Sequence, residues 1–309
     1  MSVFEDLYFN SSRGDNLNRA RLCIPEGTPR AVLQISHGIA EYIDRYDDFM
    51  QFLAENGIAA IGEDHLGHGK SVHSDADLGF FAEKNGWNYV VEDMKILHDT
   101  AKKKFPGVPF IAFGHSMGSF LTRTYIIKYP DDFDYVILSG TGHQSAGLIG
   151  FALALSNVLT KVNGPRSRGD ALNNIAFGSY CSKIENPRTP FDWLSRNEAN
   201  VDKYIADPMC GFVATTSLYR DMMSGIKFII NDKNIAKMNK DVPVYFMSGA
   251  DDPVGDYGDG VNKAYDAFCK AGLKDIKIKL YPSGRHEMLN ETNAPEVYSD
   301  ILAWINEKL

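Results

Sequence analysis

Gly114-His115-Ser116-Met117-Gly118 sets a hydroxyl between two glycines in a five-residue turn. The apolar run Val108–Phe113 precedes it, and a helical pattern, Ser119 to Tyr129, follows. A Gly-x-Ser-x-Gly between a buried strand and a helix is a nucleophile elbow. Its tightness forces unusual backbone angles on the serine, and the flanking glycines let neighbouring chain pass close by. Ser116 is then held at the carboxyl end of the sheet, above a helix amino terminus. Backbone N–H groups and the helix dipole stabilise an oxyanion there.

A serine hydroxyl is a weak nucleophile until a base takes its proton. Of eight histidines, His286 follows the last strand pattern, Ile276–Tyr281, and emerges at the same sheet edge as Ser116. The base needs a carboxylate to orient its second nitrogen. Gly249-Ala250-Asp251-Asp252-Pro253-Val254 delivers two acids to that edge. Neighbouring side chains on an extended loop diverge, so one of the two faces the histidine; Asp252 is favoured over Asp251. The oxyanion needs two backbone donors. Met117, directly after the nucleophile, is one. The other is expected in the loop His37-Gly38-Ile39-Ala40-Glu41, with Ile39 as the donor and His37 structural.

Two other segments imitate sites. Asp64-His65-Leu66-Gly67-His68-Gly69-Lys70-Ser71 ends like a phosphate loop, but Asp64 stands where such a loop needs glycine. His65 and His68 lack a helix and a third metal ligand. This segment is expected at the rim of the site. Arg166 and Arg168 read as a solvated loop rather than a phosphate clamp.

These residues need a frame. Strands are predicted at Asn18–Ile24, Ala31–Ser36, Ile58–Asp64, Val108–Gly114, Tyr135–Gly140, Val242–Gly249 and Ile276–Tyr281. Their near-continuous apolar runs suit strands buried on both faces of a parallel sheet. Helices are predicted at Tyr46–Glu55, Gly86–Lys103, Ser119–Tyr129, Gly260–Ala271 and Pro295–Lys308, the last with Thr292-Asn293 as its cap. The alternation means a mostly parallel α/β sheet flanked by helices. It stops after Gly142 and resumes at Val242. Residues 1–142 and 238–309 therefore read as the core, and 143–237 as a helical cap inserted over the carboxyl edge, where open α/β sheets bind ligands.

The chain has 309 residues, 44% hydrophobic and 23% charged, as in a globular protein. A net charge of −8 argues against nucleic acid as a partner. Cys23, Cys181, Cys210 and Cys269 are widely spaced, form no metal or disulfide framework, and read mostly as core residues. No secretory pattern opens the sequence, so a reducing cytoplasmic location is expected. Residues 135–160 carry no charged side chain, but a polar stretch, 139–145, interrupts them. They read as strand, loop and an apolar helix, Ala146–Leu159, a candidate for lining an acyl tunnel or for peripheral contact with a lipid surface.

The assembled residues resemble the monoacylglycerol lipase and lysophospholipase group of α/β-hydrolases, the serine aminopeptidase S33-type enzymes. The likeness runs through HGIAEYIDRY (37–46), DHLGHGKS (64–71), GHSMGS (114–119), SGADDPVG (248–255) and GRHEMLNE (284–291). FDWLSRNEANVDKYIADPMCGF (191–212) resembles a cap stretch of bacterial lysophospholipase-like members. The resemblance implies Ser116 as nucleophile, Asp252 as acid, His286 as base, and Ile39 and Met117 as oxyanion donors. This chain departs at Tyr42, where the group often has His, and at Ile39, where it often has Ala or Met.

The expected activity is a carboxylic ester hydrolase acting through an acyl-enzyme on single-chain esters such as monoacylglycerol or lysophospholipid, with no cofactor or metal. A short-chain esterase or a serine aminopeptidase is the alternative on the same fold; a non-catalytic binding protein would need a broken triad. Dehalogenase and epoxide hydrolase chemistry is disfavoured, because those enzymes carry Asp where this chain has Ser116.

Overall fold

In the computed structural model, which describes residues 2–309, eight strands form one sheet: β1 (Val3–Asn10), β2 (Leu17–Ile24), β3 (Ala31–Ser36), β4 (Ile58–Glu63), β5 (Phe110–His115), β6 (Tyr135–Ser139), β7 (Val244–Gly249) and β8 (Ile276–Tyr281). Their order is β1-β2-β4-β3-β5-β6-β7-β8. β2 runs antiparallel to both β1 and β4, and every pairing from β4 to β8 is parallel.

Alternation of side chains across the central strands divides the core in two. Phe110 and Ala112 of β5 point into one apolar cluster, and Ile111 and Phe113 into the other. Val244 and Phe246 of β7 are likewise separated from Tyr245 and Met247. Both faces being covered is why these strands are continuously apolar. Burying each Val, Ile, Phe or Met among them contributes roughly 1.5–3 kcal/mol over exposure. Helices α1 (Asp47–Glu55) and α10 (Ala294–Lys308) cover one face. Helices α2 (Gly86–Lys104), α3 (Met117–Lys128) and α9 (Asp259–Lys270) cover the other.

Between β6 and β7 lie α4 (Ala146–Asn163), α5 (Asp170–Phe177), α6 (Glu198–Ala206), α7 (Thr216–Ile229) and α8 (Asp232–Ile235). They include no strand, only one isolated bridge, Arg168 to Thr215. α7 packs on α2 and α3, and its Leu218, Met222 and Ile226 join the core cluster. α4 packs along α7.

Several expectations are corrected. β1 is an additional edge strand: its alternation carries Glu5, Asp6 and Asn10, so it lacks a clear apolar run. Helix α4 extends to Asn163 and ends at Gly164. At the head of α10 the Asn293 side chain donates to Glu296 instead of capping the helix. Cys23 and Cys210 are buried, but Cys269 is exposed at the end of α9. Arg166 and Arg168 are exposed, as a solvated loop requires, and they also make contacts: Arg166 ion-pairs with Asp77 and lies over Phe80, while Arg168 donates to the Asp75 and Val213 carbonyls, tying the 75–80 loop to the inserted segment.

Candidate active site

Ser116 sits between β5 and α3 with φ 54° and ψ −123°, a conformation costing on the order of 1–3 kcal/mol for a residue with a Cβ. The turn is held from both sides. The Ser116 amide donates to the Ser139 carbonyl at the end of β6 (3.0 Å), and the Ser119 hydroxyl donates to the Ser116 carbonyl (2.6 Å). Gly118 is required by close approach: a Cβ there would overlap the carbonyl oxygen of Ser36 at the end of β3. α3 therefore begins against the loop that follows β3. Among the described residues neither the Ile39 nor the Met117 amide has a protein acceptor.

The loop after β7 separates the two acids. Asp251 is exposed; Asp252 is buried. The Asp252 carboxylate accepts from the Ser248 hydroxyl (3.0 Å) and the Val254 amide (2.9 Å), and its Oδ2 lies 2.9 Å from His286 Nδ1. Burial opposes both charges, but their mutual attraction wins: Asp252 is held below the usual carboxylate range and His286 above the usual imidazole range. The His286 ring also lies tilted against those of Trp193 and His115, with centroids 5.1 and 4.6 Å away. Burial first, then the His286 charge, pushes His115 down to about 3, so it stays neutral beside an imidazolium.

Ser116 and His286 open onto one cavity of about 340 Å³. The Ser116 side chain makes no hydrogen bond among the described residues, so the hydroxyl–imidazole contact is not closed; apo sites are often loose in this way. Gly38, Ile39 and His115 also line it, as do the aromatic residues Phe177, Phe191, Trp193, Tyr204, Phe212 and Tyr219. Phe177 and Phe212 thus reach the cavity. Of the two readings of the apolar helix, the tunnel wall is not met: no residue of α4 reaches the cavity. Residues 64–71 are also displaced from the expected rim. His65 and His68 are buried beneath the 37–41 loop, and Asp64 accepts from the Ile43 and Lys70 amides. Among the described residues no group of three or more His, Cys, Asp or Glu is arranged to hold a metal ion.

A buried charge network ties the site together, and sequence reasoning passed over it. Arg45 donates to Glu41 Oε2 (2.6 Å) and, through two nitrogens, to both oxygens of Glu287 (2.7 Å each). It also lies 4.9 Å over the Tyr204 ring. Asn200 donates to Glu287, and the Glu287 amide to the Leu194 carbonyl. Arg45 therefore joins the 37–46 loop, the histidine loop and the inserted segment. Burial and the Glu287 charge raise Glu41, whereas Arg45 overcomes burial to hold Glu287 low. Glu41 and Arg45 are four residues apart, a visible signal; Glu287 is 242 residues away from Arg45.

The sheet order, the elbow and the histidine loop define an α/β-hydrolase. The family described as "Serine aminopeptidase, S33" matches residues 27–293, and the chain belongs to it. It is 27% identical to a monoacylglycerol lipase of Mycolicibacterium smegmatis over 91% of this chain and 90% of that one. It is 25% identical to the human monoglyceride lipase over 92% and 85% of the two chains. A thermostable carboxyl esterase from Bacillus coagulans, solved with glycerol, superimposes with a TM-score of 0.91 at 28% identity, covering 99% of this chain and 98% of that one.

The network yields a stability prediction. Arg45→Met leaves Glu287 buried without its cation, and such a loss costs about 3–5 kcal/mol. Urea unfolding of the variant is expected to show a midpoint lowered accordingly; a change below about 1 kcal/mol would mean that water replaces the guanidinium at no cost.

Proposed function

We propose that this protein is a serine carboxylic ester hydrolase that cleaves single-chain acyl esters, monoacylglycerol or lysophospholipid, through an acyl-enzyme on Ser116. The observation that carries this reading is the convergence of Ser116 on a strained elbow and the Asp252–His286 pair on one aromatic-walled cavity. His286 takes the hydroxyl proton as Ser116 Oγ attacks the ester carbonyl. Negative charge on the carbonyl oxygen is met by the Ile39 and Met117 amides. The tetrahedral intermediate collapses, and His286 returns the proton to the leaving alcohol. Water then attacks the acyl-enzyme, giving its proton to His286, and the fatty acid leaves as Ser116 is reprotonated. Residues 143–237 serve as the cap that closes over the acyl chain.

The electrostatics favour an ester over an aminopeptidase substrate. A free α-ammonium calls for an unpaired carboxylate in the cavity wall. The acids lining the cavity are Glu41 and Glu287, and Arg45 occupies both. The cap acids Asp170, Glu185, Asp192 and Glu198 do not reach it. The relatives' names, monoacylglycerol lipase and monoglyceride lipase, agree with this choice.

The cap carries the lipid-facing surface of the proposal. Helix α4 leaves Phe151 at 67% and Val162 at 73% exposure, with Leu148 and Val158 also exposed, and Ile175 of α5 adds to them. An apolar face of this kind rests on a bilayer surface and loads substrate from it. α4 has 18 residues, only 17% of them buried, and its packing on α7 fits a helix lying on the surface. The setting proposed with it is a cytoplasmic enzyme at a membrane surface.

Three results follow. Purified protein is expected to hydrolyse long-chain p-nitrophenyl esters and 1-monoacylglycerol or lysophosphatidylcholine, and Ser116→Ala to lose activity by about 10⁴-fold or more; turnover confined to aminoacyl-naphthylamide would replace the reading with an aminopeptidase. Because the base must be neutral and His286 lies above the usual 6.5 or so, kcat/KM is expected to fall as pH drops through a value above 6.5, and Asp252→Asn to shift that limb downward. Phe151→Asp is expected to weaken sedimentation with phosphatidylcholine vesicles by about tenfold, the loss of one buried aromatic, while hydrolysis of a soluble short-chain ester stays unchanged; equal vesicle binding would remove α4 from the lipid surface.

A further inference from the structure

Arg123 lies on α3, the helix that begins directly after Ser116, and its side chain is fully buried. Among the described residues no carboxylate pairs with it. Nη1 donates to the Gly142 carbonyl at 2.8 Å and reaches the Thr141 hydroxyl at 3.4 Å. Nη2 makes a longer contact, 3.5 Å, with the Ile229 carbonyl in the last turn of α7, and Nε has no partner. The guanidinium also lies 5.7 Å from the Phe268 ring centroid on α9. Burial pushes its pKa down to about 9, still above neutrality, so it stays a cation. A cation kept in an apolar interior without an anion is costly. What it supplies that an apolar side chain of the same size cannot is donors to these oxygens.

The segment it holds is the one against which Ser116, His286 and the acid loop all rest. β6 ends at Ser139, whose carbonyl accepts the Ser116 amide at 3.0 Å. Gly140, at φ 57°, lies against the His286 ring: a Cβ there would stand 2.9 Å from Cε1 and 3.0 Å from Nδ1. Gly142 meets the acid loop, where a Cβ would stand 2.6 Å from the Val254 carbonyl oxygen. The Val254 amide in turn donates to Asp252 Oδ1 at 2.9 Å. The Gly140 amide still donates to the Met247 carbonyl at the end of β7, at 3.0 Å. Beyond it the sheet stops. Among the described residues Thr141 and Gly142 make no backbone-to-backbone hydrogen bond, and the buried Gly142 carbonyl is met by Arg123.

We propose that Arg123 is a positioning residue for the Asp252–His286 pair: from inside the fold it holds segment 139–142 against the histidine ring and the acid loop. Arg123 touches no reacting atom. Without it the Gly142 carbonyl is left buried and unpaired, which is costly enough to move the segment. The two surfaces resting on that segment then lose their stop, and the 2.9 Å contact between Asp252 Oδ2 and His286 Nδ1 loosens. Catalysis by a base depends on its being held in line with the hydroxyl, so a small displacement here is felt in the rate.

The inference rests on the proposed roles of Ser116, Asp252 and His286, and its test keeps the two apart. Arg123→Met fills the space without a donor, whereas Arg123→Lys keeps a cation that reaches one carbonyl at a time. With p-nitrophenyl butyrate as substrate, Arg123→Met is expected to lower kcat by about 10- to 100-fold, the scale of a displacement of up to an ångström. KM is expected to stay near wild type. The acidic limb of kcat/KM is expected to move to lower pH, because His286 loses part of the attraction of Asp252 that raises it. Glu41, Glu287 and His115, which also face His286, are unaltered in these variants. Arg123→Lys is expected to recover most of the loss, since the Gly142 carbonyl is the nearer acceptor. A folded Arg123→Met with wild-type kcat and an unmoved limb, a loss confined to KM, or equal losses in the Met and Lys variants would each overturn the proposal. If Arg123→Met does not fold, Gly142→Ala tests the same link from the acid loop: its methyl group displaces Val254 with Arg123 in place. The limb is then expected to move the same way, and an unmoved limb overturns the proposal. Failure of the wild-type protein to hydrolyse the ester in a Ser116-dependent manner would instead remove the reading beneath it, and the positioning role with it.

Discussion

The whole site depends on how closely the start of α3 approaches the end of β3. That approach is possible only because residue 118 has no side chain: a methyl group there would occupy the space of the Ser36 carbonyl oxygen. The contact sets the Met117 amide beside the loop carrying the Ile39 amide. It also holds Ser116 in a backbone conformation that a residue with a Cβ otherwise avoids. Parallel strands β3, β5 and β6, packed on both faces, supply the rigidity that keeps this strain from relaxing.

Around that contact, charge is arranged by depth. The Asp252–His286 pair and the Glu41–Arg45–Glu287 network are both buried, and each carboxylate is met by hydrogen bonds or a cation. The first pair raises the proton affinity of His286. The second fixes the histidine loop against the loop after β3 and against the inserted segment. Tyr42 adds a hydrogen bond to Asp207, and the Gly211 amide donates to the Ala40 carbonyl, so the inserted segment is tied to the same loop at several points. In contrast, α4 of the inserted segment leaves Leu148, Phe151, Val158 and Val162 exposed.

The strands were legible because a sheet covered on both faces writes itself as unbroken apolar runs, as in Phe110–Phe113 and Val244–Met247. Ser116, His286 and the acid loop were legible because short glycine-marked turns must follow those strands. β1 was not, since an edge strand mixes Glu5 and Asp6 with Phe4 and Leu7 and leaves no such run. α4 was ambiguous: apolar composition suits a tunnel wall or an outward-facing helix alike, and composition does not say which way a helix faces; no residue of α4 lines the cavity, and Leu148, Phe151, Val158 and Val162 are exposed. The Arg45–Glu287 contact and the pairing of His37 with the His65 amide join residues far apart in the chain, so no local pattern announces them.

The most direct test of the central claim is the site of covalent labelling by a fluorophosphonate, read by peptide mass spectrometry. Only a serine with a working base reacts readily. The account predicts one adduct, on Ser116, formed faster as pH rises through the titration of His286 and abolished in His286→Ala. An adduct on another residue, or none on folded protein, would contradict it.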